Sequence, residues 1–573
     1  MNGWSGEKRS GAARRRLVLS LLAIAAVGIM VRAVYLQLVH KDFLQGQGNE
    51  RYLRVIEAPV HRGMIVDRNA EPLAVSSPVD SVWVHPKILL QHRHRLPELA
   101  SLLDRDVAGL QQTVLQREER EFVYLRRHLE PDKAQQVMAL GIPGVYLQRE
   151  YRRYYPTAEV TSHLLGFTDI DDKGQEGLEL AFDDWLLGVP GSKRVIKDRL
   201  NRVIEDVEAI RIPQPGKQIV LSIDRRIQYL AYRALKSAML EHQASAASAV
   251  VLDVTTGEIL AMVNQPAGNP NNRRERRSAL LRNRAITDVF EPGSTLKPFT
   301  IALALESRAY RAETPIDTGP GYLRVGRHLV KDIHNYGLID VAQVISKSSN
   351  VGITKIALSL PPEALWNLYA RLGFGVQTGL GFIGEQSGSL SHYSSWSAFE
   401  HATHSFGYGV AVTALQLAQA YAVLAADGVR RPLSLLRREQ PPGEEERLLS
   451  ADTARKVRTM LEAAVGMEGT AIGASVPGYR IAGKTGTVHK VVDGSYADDR
   501  YLSLFAGMAP ASRPRLVMVV TVDEAKGSVY YGGDVAAPVF AKVISGALRL
   551  LNVPPDAVLE TGIEMAAGPR GML

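Results

Sequence analysis

The sequence predicts an α/β (α+β) protein in which an antiparallel sheet is flanked by helices and preceded by one membrane-spanning helix. An uncharged apolar run near the N-terminus, later apolar segments of strand length, and amphipathic helical patterns between them carry this prediction. The 573 residues suffice for two or three domains. Hydrophobic residues make up 46% and charged residues 22%, which is typical of a globular protein.

Composition excludes several kinds of chemistry. The chain has no cysteine, so it has no disulfide, thiol catalysis or cysteine-based zinc site. Its net charge of +8 is modest and suits an anionic membrane surface or cell wall. Residues 271–284 are rich in Arg, but no aromatic residue is interleaved with them. We therefore interpret this segment as a solvated loop and expect no nucleic-acid partner.

The N-terminus has the pattern of a retained membrane anchor. A basic tail, residues 1–16, precedes an apolar segment, residues 17–39, which reaches the ~20 residues that a membrane-spanning helix needs. Because basic residues stay on the cytoplasmic side, we expect the N-terminus in the cytoplasm and the rest of the chain across the membrane. A cleaved signal peptide would need a shorter core and small residues at its exit, where Tyr35 and Leu36 stand instead.

Residues 40–217 form the next predicted domain, without a constellation of catalytic side chains. Residues 58–75 alternate apolar residues around an Asp-Arg-Asn turn, which predicts strand, turn and strand. Residues 86–141 have a charged, helical pattern.

Residues 218–551 form the largest predicted domain, and residues 552–573 a small-rich, disordered tail. A helix is expected over residues 225–243, then a hairpin over residues 249–263 that turns at Thr256-Gly257. Two later apolar segments, LSLFAGMAP and RLVMVVTVD, supply further strands of an antiparallel sheet.

A Ser and a Lys three residues apart lie at the mouth of the apolar run FEPGSTLKPFTIALA. On a helix this spacing stacks the side chains of Ser294 and Lys297 on one face. Pro292 and Gly293 predict that the helix opens at Ser294, where the macrodipole favours negative charge on its oxygen. Burial in the apolar run would lower the pKa of Lys297, so that it could accept the serine proton. By itself this spacing is a weak signal, since it more often belongs to a solvated Ser and Lys on a surface helix.

Two further motifs follow, Ser348-Ser349-Asn350 and Lys484-Thr485-Gly486-Thr487. Three motifs in this order resemble those of the penicilloyl-serine transferases. Upstream, Arg62-Gly63, the Asp-Arg-Asn turn and residues 174–179 resemble the non-catalytic pedestal (dimerisation-type) module of class B penicillin-binding proteins. There, Arg62 and Glu179 could form a structural ion pair, and Ala70 stands where the family more often has Gly.

The resemblance implies a role for each catalytic residue. Ser294 would attack the carbonyl between two D-alanines of a peptidoglycan stem peptide, and Lys297 would take its proton. Ser348 would pass the proton to the departing D-alanine, while Asn350 would hydrogen-bond the lysine and the peptide.

The implied substrate-binding residues are Ser349, Lys484, Thr485, Gly486 and Thr487. The lysine would steer the substrate carboxylate, the two threonine hydroxyls would bind it, and the glycine would let the strand backbone approach closely. Backbone N–H groups of Ser294 and Thr487 form the family's oxyanion hole.

The resemblance therefore implies a monofunctional peptidoglycan D,D-transpeptidase that β-lactam antibiotics acylate, without metal or cofactor. Residues 530–533 (YYGG) and 405–409 (SFGYG) are most similar to the cell-division members of the family. A septal role is implied, with an inner-membrane anchor and the catalytic domain in the periplasm. A polytopic glycosyltransferase and division-complex proteins are the implied partners.

Several alternatives stay open at this point. An elongation-type transpeptidase or a D,D-carboxypeptidase would share the three motifs, and so would a β-lactam sensor or a β-lactamase. For a β-lactamase, Glu363 and Asn367 mimic a Glu-x-x-x-Asn spacing, but they fall in a segment that is predicted to be an amphipathic helix.

Overall fold

The computed structural model describes residues 7–41, 53–197, 203–440, 442–492, 494–527 and 529–557. The chain divides into two compact units. The first comprises Met1–His61, Pro78–Glu150 and Gly188–Pro215, and the second comprises Arg62–Ser77, Tyr151–Leu187 and Gly216–Leu573. The segments Arg62–Ser77 and Tyr151–Leu187 thus belong to the second unit although they precede residue 217. The predicted domain boundary at residue 217 stays a prediction. The predicted disorder of residues 558–573 lies outside the described residues.

The strands are, in chain order, β1 (Leu53–Ala58), β2 (Ile65–Val66), β3 (Pro72–Val84), β4 (Val123–Leu129), β5 (Val145–Tyr154), β6 (Gly191–Lys197), β7 (Val203–Arg211), β8 (Ile219–Val220), β9 (Ala246–Asp253), β10 (Ile259–Gln265), β11 (Pro315–Asp317), β12 (Tyr322–Val325), β13 (His328–Lys331), β14 (Leu338–Asp340), β15 (Val429–Arg430), β16 (Glu446–Arg447), β17 (Ala482–Val492), β18 (Ser495–Ala509) and β19 (Leu516–Asp523).

The α-helices are α1 (Glu7–Val34), α2 (Pro86–Gln91), α3 (Leu96–Leu102), α4 (Val107–Leu115), α5 (Pro131–Ala139), α6 (Ser162–Leu165), α7 (Gly177–Ala181), α8 (Asp183–Leu186), α9 (Arg225–Glu241), α10 (Ser278–Leu281), α11 (Arg284–Thr287), α12 (Lys297–Glu306), α13 (Val341–Ser346), α14 (Asn350–Leu358), α15 (Pro362–Leu372), α16 (Ala398–His404), α17 (Ala414–Ala425), α18 (Ala451–Val465), α19 (Gly532–Val535) and α20 (Ala537–Leu550).

The N-terminal helix is built to cross a membrane. Helix α1 continues as a π-helix through Tyr35–Val39, and the most apolar 18 residues of the stretch Ala13–Val39 have a mean hydropathy of 2.5 and are not buried. A soluble helix would bury an apolar stripe against the protein. The predicted span, residues 17–39, lies within this segment, which among the described residues is the one helix long and apolar enough to cross a membrane.

In the first unit, β1, β6 and β7 form an antiparallel sheet, and helices α2 to α5 pack around β4 and the end of β3. The helical pattern predicted for residues 86–141 is right for these four helices but is interrupted by β4. There Val123, Leu125 and Leu129 are buried while Arg126 is exposed. This local period of two is the strand signal that the longer helical pattern obscures.

In the second unit, β2 pairs with the start of β3 around the Asp-Arg-Asn turn, as predicted. The Asp67 carboxylate accepts from the backbone N–H of Asn69 at 2.7 Å and of Glu71 at 2.9 Å. Ala70 has a φ of +64°, a left-handed conformation that costs a non-glycine residue roughly 1–2 kcal/mol. This explains why a glycine is favoured at this position.

A buried ion network joins Arg62 and Arg153 through one carboxylate of the same unit. The Nε atoms of Arg62 and Arg153 lie 2.7 and 2.6 Å from the two carboxylate oxygens of Glu179. Arg62 also donates to Asp183 at 2.6 Å. The predicted ion pair between Arg62 and Glu179 is therefore confirmed, and losing one partner would leave a buried charge uncompensated.

The second unit is built on a five-stranded antiparallel sheet of order β10-β9-β19-β18-β17. Helices α9 and α20 cover one face, and the helical part of the unit, with α17 nearest, covers the other. Every residue of β9 is buried, as a central strand covered on both faces requires. The predicted helix, hairpin and late strands are confirmed, and β17 is left as an edge strand beside the turn that precedes α12.

Candidate active site

Ser294 lies in a 3-10 turn, Gly293–Leu296, and the α-helix α12 begins only at Lys297. The predicted opening of the helix at Ser294 is thus about one turn too early. Pro298 explains the difference, since an α-helix through Ser294 would require a hydrogen bond from residue 298 to the Ser294 carbonyl. Proline has no N–H to donate, and its ring would collide with that carbonyl.

The segment 405–409 supports this turn from its other side. Gly293 N donates to Gly407 O at 3.1 Å, and a Cβ added at Gly407, whose φ is +85°, would collide with the Gly293 backbone. Gly409 N donates to the Glu291 carboxylate at 2.7 Å. Only glycine permits this close approach of two backbones.

The Lys297 ammonium is fully buried and donates three hydrogen bonds to the second motif. Its Nζ lies 2.5 Å from Ser348 O, 2.8 Å from Asn350 Oδ1 and 3.1 Å from Ser348 Oγ. Burial, aided by the charge of Lys484, lowers the pKa of Lys297 well below its ordinary value, while Asp332 opposes the shift. The predicted direction of this pKa shift is confirmed.

Ser348 connects the lysine with the nucleophile. Its Oγ lies 3.1 Å from Ser294 Oγ and 3.1 Å from Lys297 Nζ. Among the described hydrogen bonds, none joins Lys297 Nζ directly to Ser294 Oγ, so the connected proton path runs through Ser348. The φ of +60° at Ser348 is unusual for a residue with a side chain, and it accompanies the turning of both its carbonyl and its hydroxyl toward the lysine.

Ser349 points away from the cleft, although we predicted that it binds substrate. It is fully buried and is the N-cap of α14, accepting from Gly352 N at 2.8 Å and donating to Asp332 at 2.6 Å. Because both hydrogen bonds hold the start of a helix, this placement supports a structural role for Ser349 rather than substrate contact. Asn350 N also donates to Asp332.

The third motif lies on the edge strand β17. The Lys484 ammonium is fully buried, with its Nζ 3.3 Å from Thr485 O, and burial lowers its pKa to about 7. The hydroxyls of Thr485 and Thr487 reach the cleft and bond Thr470 Oγ1 and Gly532 N, each at 3.0 Å. The lysine therefore stands behind the two hydroxyls.

Gly486 lies between them, where the strand passes close to the nucleophile turn. A Cβ added at this residue would be 3.1 Å from each of Leu504 Cδ1, Pro292 O and Thr295 Cγ2. The close backbone approach predicted for Gly486 is thus present.

These residues meet at one cleft of about 670 Å³, which Ser294, Ser348, Asn350, Thr485 and Thr487 line together. Sequence reasoning did not single out four other residues that line it, namely Thr470, His489, Tyr501 and Tyr336, nor Asp332, which lies behind the second motif. Two of these carried a signal. His489 continues the alternation that begins with Thr485 and Thr487 on one face of β17, and Tyr501 is its partner on β18.

One wall of the cleft is aromatic. The ring of Tyr530 stacks on those of Tyr501 and Tyr531, with ring centroids 4.1 and 4.6 Å apart, respectively. The ring centroids of His489 and Tyr501 are 4.6 Å apart. The YYGG segment, which carried only a family resemblance in the sequence, thus contributes two side chains to the cleft.

Comparison with protein families agrees with this architecture. Residues 247–545 match the penicillin binding protein transpeptidase domain, and residues 57–221 match the penicillin-binding protein dimerisation domain. The peptidoglycan D,D-transpeptidase FtsI of Escherichia coli K12 is 42% identical over 555 residues, which cover 96% of this chain and 93% of the relative. The probable peptidoglycan D,D-transpeptidase PbpC of Pseudomonas aeruginosa is 42% identical over 540 residues, covering 94% and 95%.

Solved structures are similar as well. The apo transpeptidase domain of Burkholderia pseudomallei penicillin-binding protein 3 is 43% identical and has a TM-score of 0.55, over 59% of this chain and 98% of that domain. A peptidoglycan synthetase from Bifidobacterium adolescentis has a TM-score of 0.70 over 88% of this chain and 98% of its own. At 23% identity, the second similarity shows the fold alone.

Proposed function

Because the chain belongs to the class B penicillin-binding proteins, we propose that it is a D,D-transpeptidase that cross-links peptidoglycan stem peptides through an acyl-enzyme on Ser294. One observation carries the proposal, the hydrogen-bonded series from Ser294 through Ser348 to the buried Lys297. This series supplies a nucleophile and a base of lowered pKa in one cleft. The names of the relatives, which are peptidoglycan D,D-transpeptidases, support the same reaction.

Acylation begins when Ser294 Oγ attacks the carbonyl between the two terminal D-alanines of a stem peptide. The serine proton passes through the Ser348 hydroxyl to neutral Lys297, and the backbone N–H groups of Ser294 and Thr487 stabilise the oxyanion. The C–N bond then breaks, and the lysine returns the proton through Ser348 to the departing amine of D-alanine. An ester on Ser294 remains, and free D-alanine leaves.

The second half of the reaction restores the enzyme. The amine of a neighbouring stem peptide attacks the ester carbonyl, loses a proton along the same path, and expels Ser294, which is reprotonated. The product is a new amide, which is the cross-link. These steps use only groups of the chain and the two peptides, without a metal or cofactor.

Recognition of the substrate carboxylate is assigned to the two threonine hydroxyls of β17. Thr485 and Thr487 line the cleft, whereas the Lys484 ammonium is buried behind them. We infer that the lysine, when protonated, acts on the carboxylate through its charge, and the low dielectric around it strengthens this attraction. Gly486 allows this strand to lie against the nucleophile turn.

The transpeptidase and carboxypeptidase alternatives differ in whether an amine or water accepts the acyl group. We expect the purified full-length chain, given a disaccharide-pentapeptide with two terminal D-alanines, to form cross-linked dimers and release D-alanine. Mass spectrometry of the products checks this, with the Ser294→Ala protein as the blank. Monomeric tetrapeptide as the sole product would identify a carboxypeptidase.

A septal role is proposed from the resemblance of residues 405–409 and 530–533 to the cell-division members. The dimerisation-type module, proposed as residues 40–217, would be non-catalytic. A polytopic glycosyltransferase and division-complex proteins are the proposed partners, since cross-linking requires newly made glycan strands.

For the anchor, we propose that the N-terminus lies in the cytoplasm and the catalytic domain in the periplasm. The Arg residues of the basic tail, before the apolar segment 17–39, support this orientation. A protease added outside spheroplasts should digest the catalytic domain. Full protection of that domain, or a mature N-terminus that starts after residue 30, would overturn this orientation or the retained anchor.

A further inference from the structure

The carboxylate of Asp332 holds the second motif from behind. Its Oδ1 accepts from the backbone N–H groups of Asn350 and Val351, the latter at 3.0 Å, and its Oδ2 accepts from Ser349 Oγ at 2.6 Å. These groups begin helix α14, whose positive N-terminal end attracts a carboxylate. Asp332 therefore ties three consecutive residues to one side chain, namely Ser349 and Asn350 of the second motif and the following Val351.

The hairpin that carries Asp332 fixes its place. Strands β12 and β13 pair from Tyr322 with Lys331 to Val325 with His328, and Asp332 N donates to Gly321 O at 2.9 Å. The preceding carbonyl, Lys331 O, accepts from Asn350 Nδ2 at 3.1 Å. The hairpin end thus grips both the backbone and the side-chain amide of Asn350, which leaves Asn350 Oδ1 facing Lys297 at 2.8 Å.

From these contacts we propose that Asp332 is a positioning residue for acyl transfer, which orients Asn350 toward Lys297 and supplies a negative charge that offsets the burial of the Lys297 ammonium. The inference rests on the proposed function, since it concerns the same acyl transfer. Asp332 lies behind the second motif and does not line the cleft, so it acts through Asn350 and Lys297.

The charge of Asp332 has a predictable sign. Burial and the Lys484 ammonium lower the pKa of Lys297, and Asp332 raises it. Removing this negative charge would therefore lower the pKa of Lys297 further. Because only the neutral amine accepts the Ser294 proton, the rise of acylation rate with pH would then occur at lower pH. A weaker base also gives a lower plateau rate.

We call the other titratable groups that line the cleft its rim, and six of them are His334, Tyr336, Lys347, Glu468, His489 and Asp534. Of the charges acting on the Lys297 ammonium, the only two identified among the described residues are those of Lys484, on the sheet, and Asp332, on the hairpin. A shift caused by Asp332 should therefore be separable from titration of the rim.

Two substitutions separate charge from geometry. In Asp332→Asn, the amide oxygen can still accept from both backbone N–H groups, and the amide nitrogen can donate to Ser349 Oγ, so the hydrogen bonds persist while the charge is lost. Asp332→Ala loses both the charge and the hydrogen bonds.

The matched control is Asp340→Ala. Asp340 is the N-cap of the neighbouring helix α13, accepts from Gln343 N at 2.7 Å and belongs to a capping box. Its loss should lower the thermal unfolding midpoint by a similar amount without disturbing the second motif.

The experiment measures the second-order rate constant for acylation of the full-length protein by a fluorescent penicillin, from about pH 5 to about pH 10, together with thermal unfolding midpoints. We expect the acid limb of Asp332→Asn to lie roughly 0.5–1 pH unit below that of the wild type, with a plateau several-fold lower. Asp332→Ala should acylate at least about tenfold more slowly than Asp340→Ala at a similar unfolding midpoint.

An acid limb of Asp332→Asn that coincides with that of the wild type would overturn the proposed charge effect. An Asp332→Ala protein that acylates as fast as Asp340→Ala would overturn the positioning role. Failure of the proposed function looks different, because the wild-type protein itself would then not be acylated.

Discussion

Replacing Ser294 by Ala is expected to reduce labelling by a fluorescent penicillin to background, a loss of about 10⁴–10⁶-fold, as for other enzymes that lose a nucleophile. The variant lacks the oxygen that forms the ester, while its fold should persist because the turn is held by backbone bonds such as Gly293 N to Gly407 O. In-gel fluorescence after a fixed exposure measures the effect. The matched control is Ser307→Ala, at the opposite end of α12, where the hydroxyl donates to Ala304 O at 2.7 Å and accepts from Ala309 N at 3.3 Å.

Lys484→Ala should reduce the rate of labelling by a fluorescent penicillin without abolishing it. A partial loss distinguishes a residue that acts through its charge from the nucleophile. We expect labelling to slow about 10- to 100-fold at neutral pH but to remain detectable. A decrease of this size corresponds to the loss of one charge-assisted interaction of about 1.5–3 kcal/mol. Because the Lys484 charge lowers the pKa of Lys297, its removal should raise that pKa, and part of the loss should disappear at alkaline pH. Wild-type labelling by Ser294→Ala would refute the assignment of the nucleophile.

The second large effect is the lifetime of the drug adduct. We expect one equivalent of penicillin to remain on Ser294 for many minutes, visible as one added drug mass on the intact protein. Hydrolysis of this ester needs a water and a base positioned over it. Without that base, a missing 5–7 kcal/mol of barrier lowering would slow deacylation by about 10⁴–10⁵-fold relative to a β-lactamase.

The structure supports this expectation by the placement of the candidate bases. Glu363 and Asn367, which mimic a β-lactamase spacing, are exposed on helix α15 and do not line the cleft. Of the carboxylates that do line it, Glu468 is paired with Lys347 at 3.4 Å and its side chain is 91% exposed, and Asp534 is also exposed. A transpeptidase instead awaits an amine, whose approach the bound drug blocks.

Intact-protein mass spectrometry after removal of free drug measures the lifetime, with the Ser294→Ala protein as the unmodified reference. Rapid return to the unmodified mass, with hydrolysed drug accumulating beyond one equivalent, would make the protein a β-lactamase. That outcome would overturn the proposed transpeptidase.

Much of the fold was predictable because its signals are local. The uncharged run of residues 17–31, the turn at Thr256-Gly257, and the alternating or continuous apolar strands each depend on residues that are adjacent in sequence. The strand β4 inside a helical pattern was missed since its period of two is short and its polar positions carry Arg. The late start of α12 also had a local cause, Pro298, which the sequence contains.

The sequence by itself determined which reactive side chains this protein has, namely Ser294, Lys297 and two further motifs in a fixed order. Each motif is a short contiguous stretch that can be recognised without the fold. Only the tertiary structure decided which way each side chain points. Ser349 caps a helix while its neighbour Ser348 faces the nucleophile, and Asp332, far from every motif in the chain, holds the second motif in place. The direction of a side chain depends on φ and ψ at its residue and on partners that folding brings near. The spacing of a motif determines neither the backbone angles nor those partners.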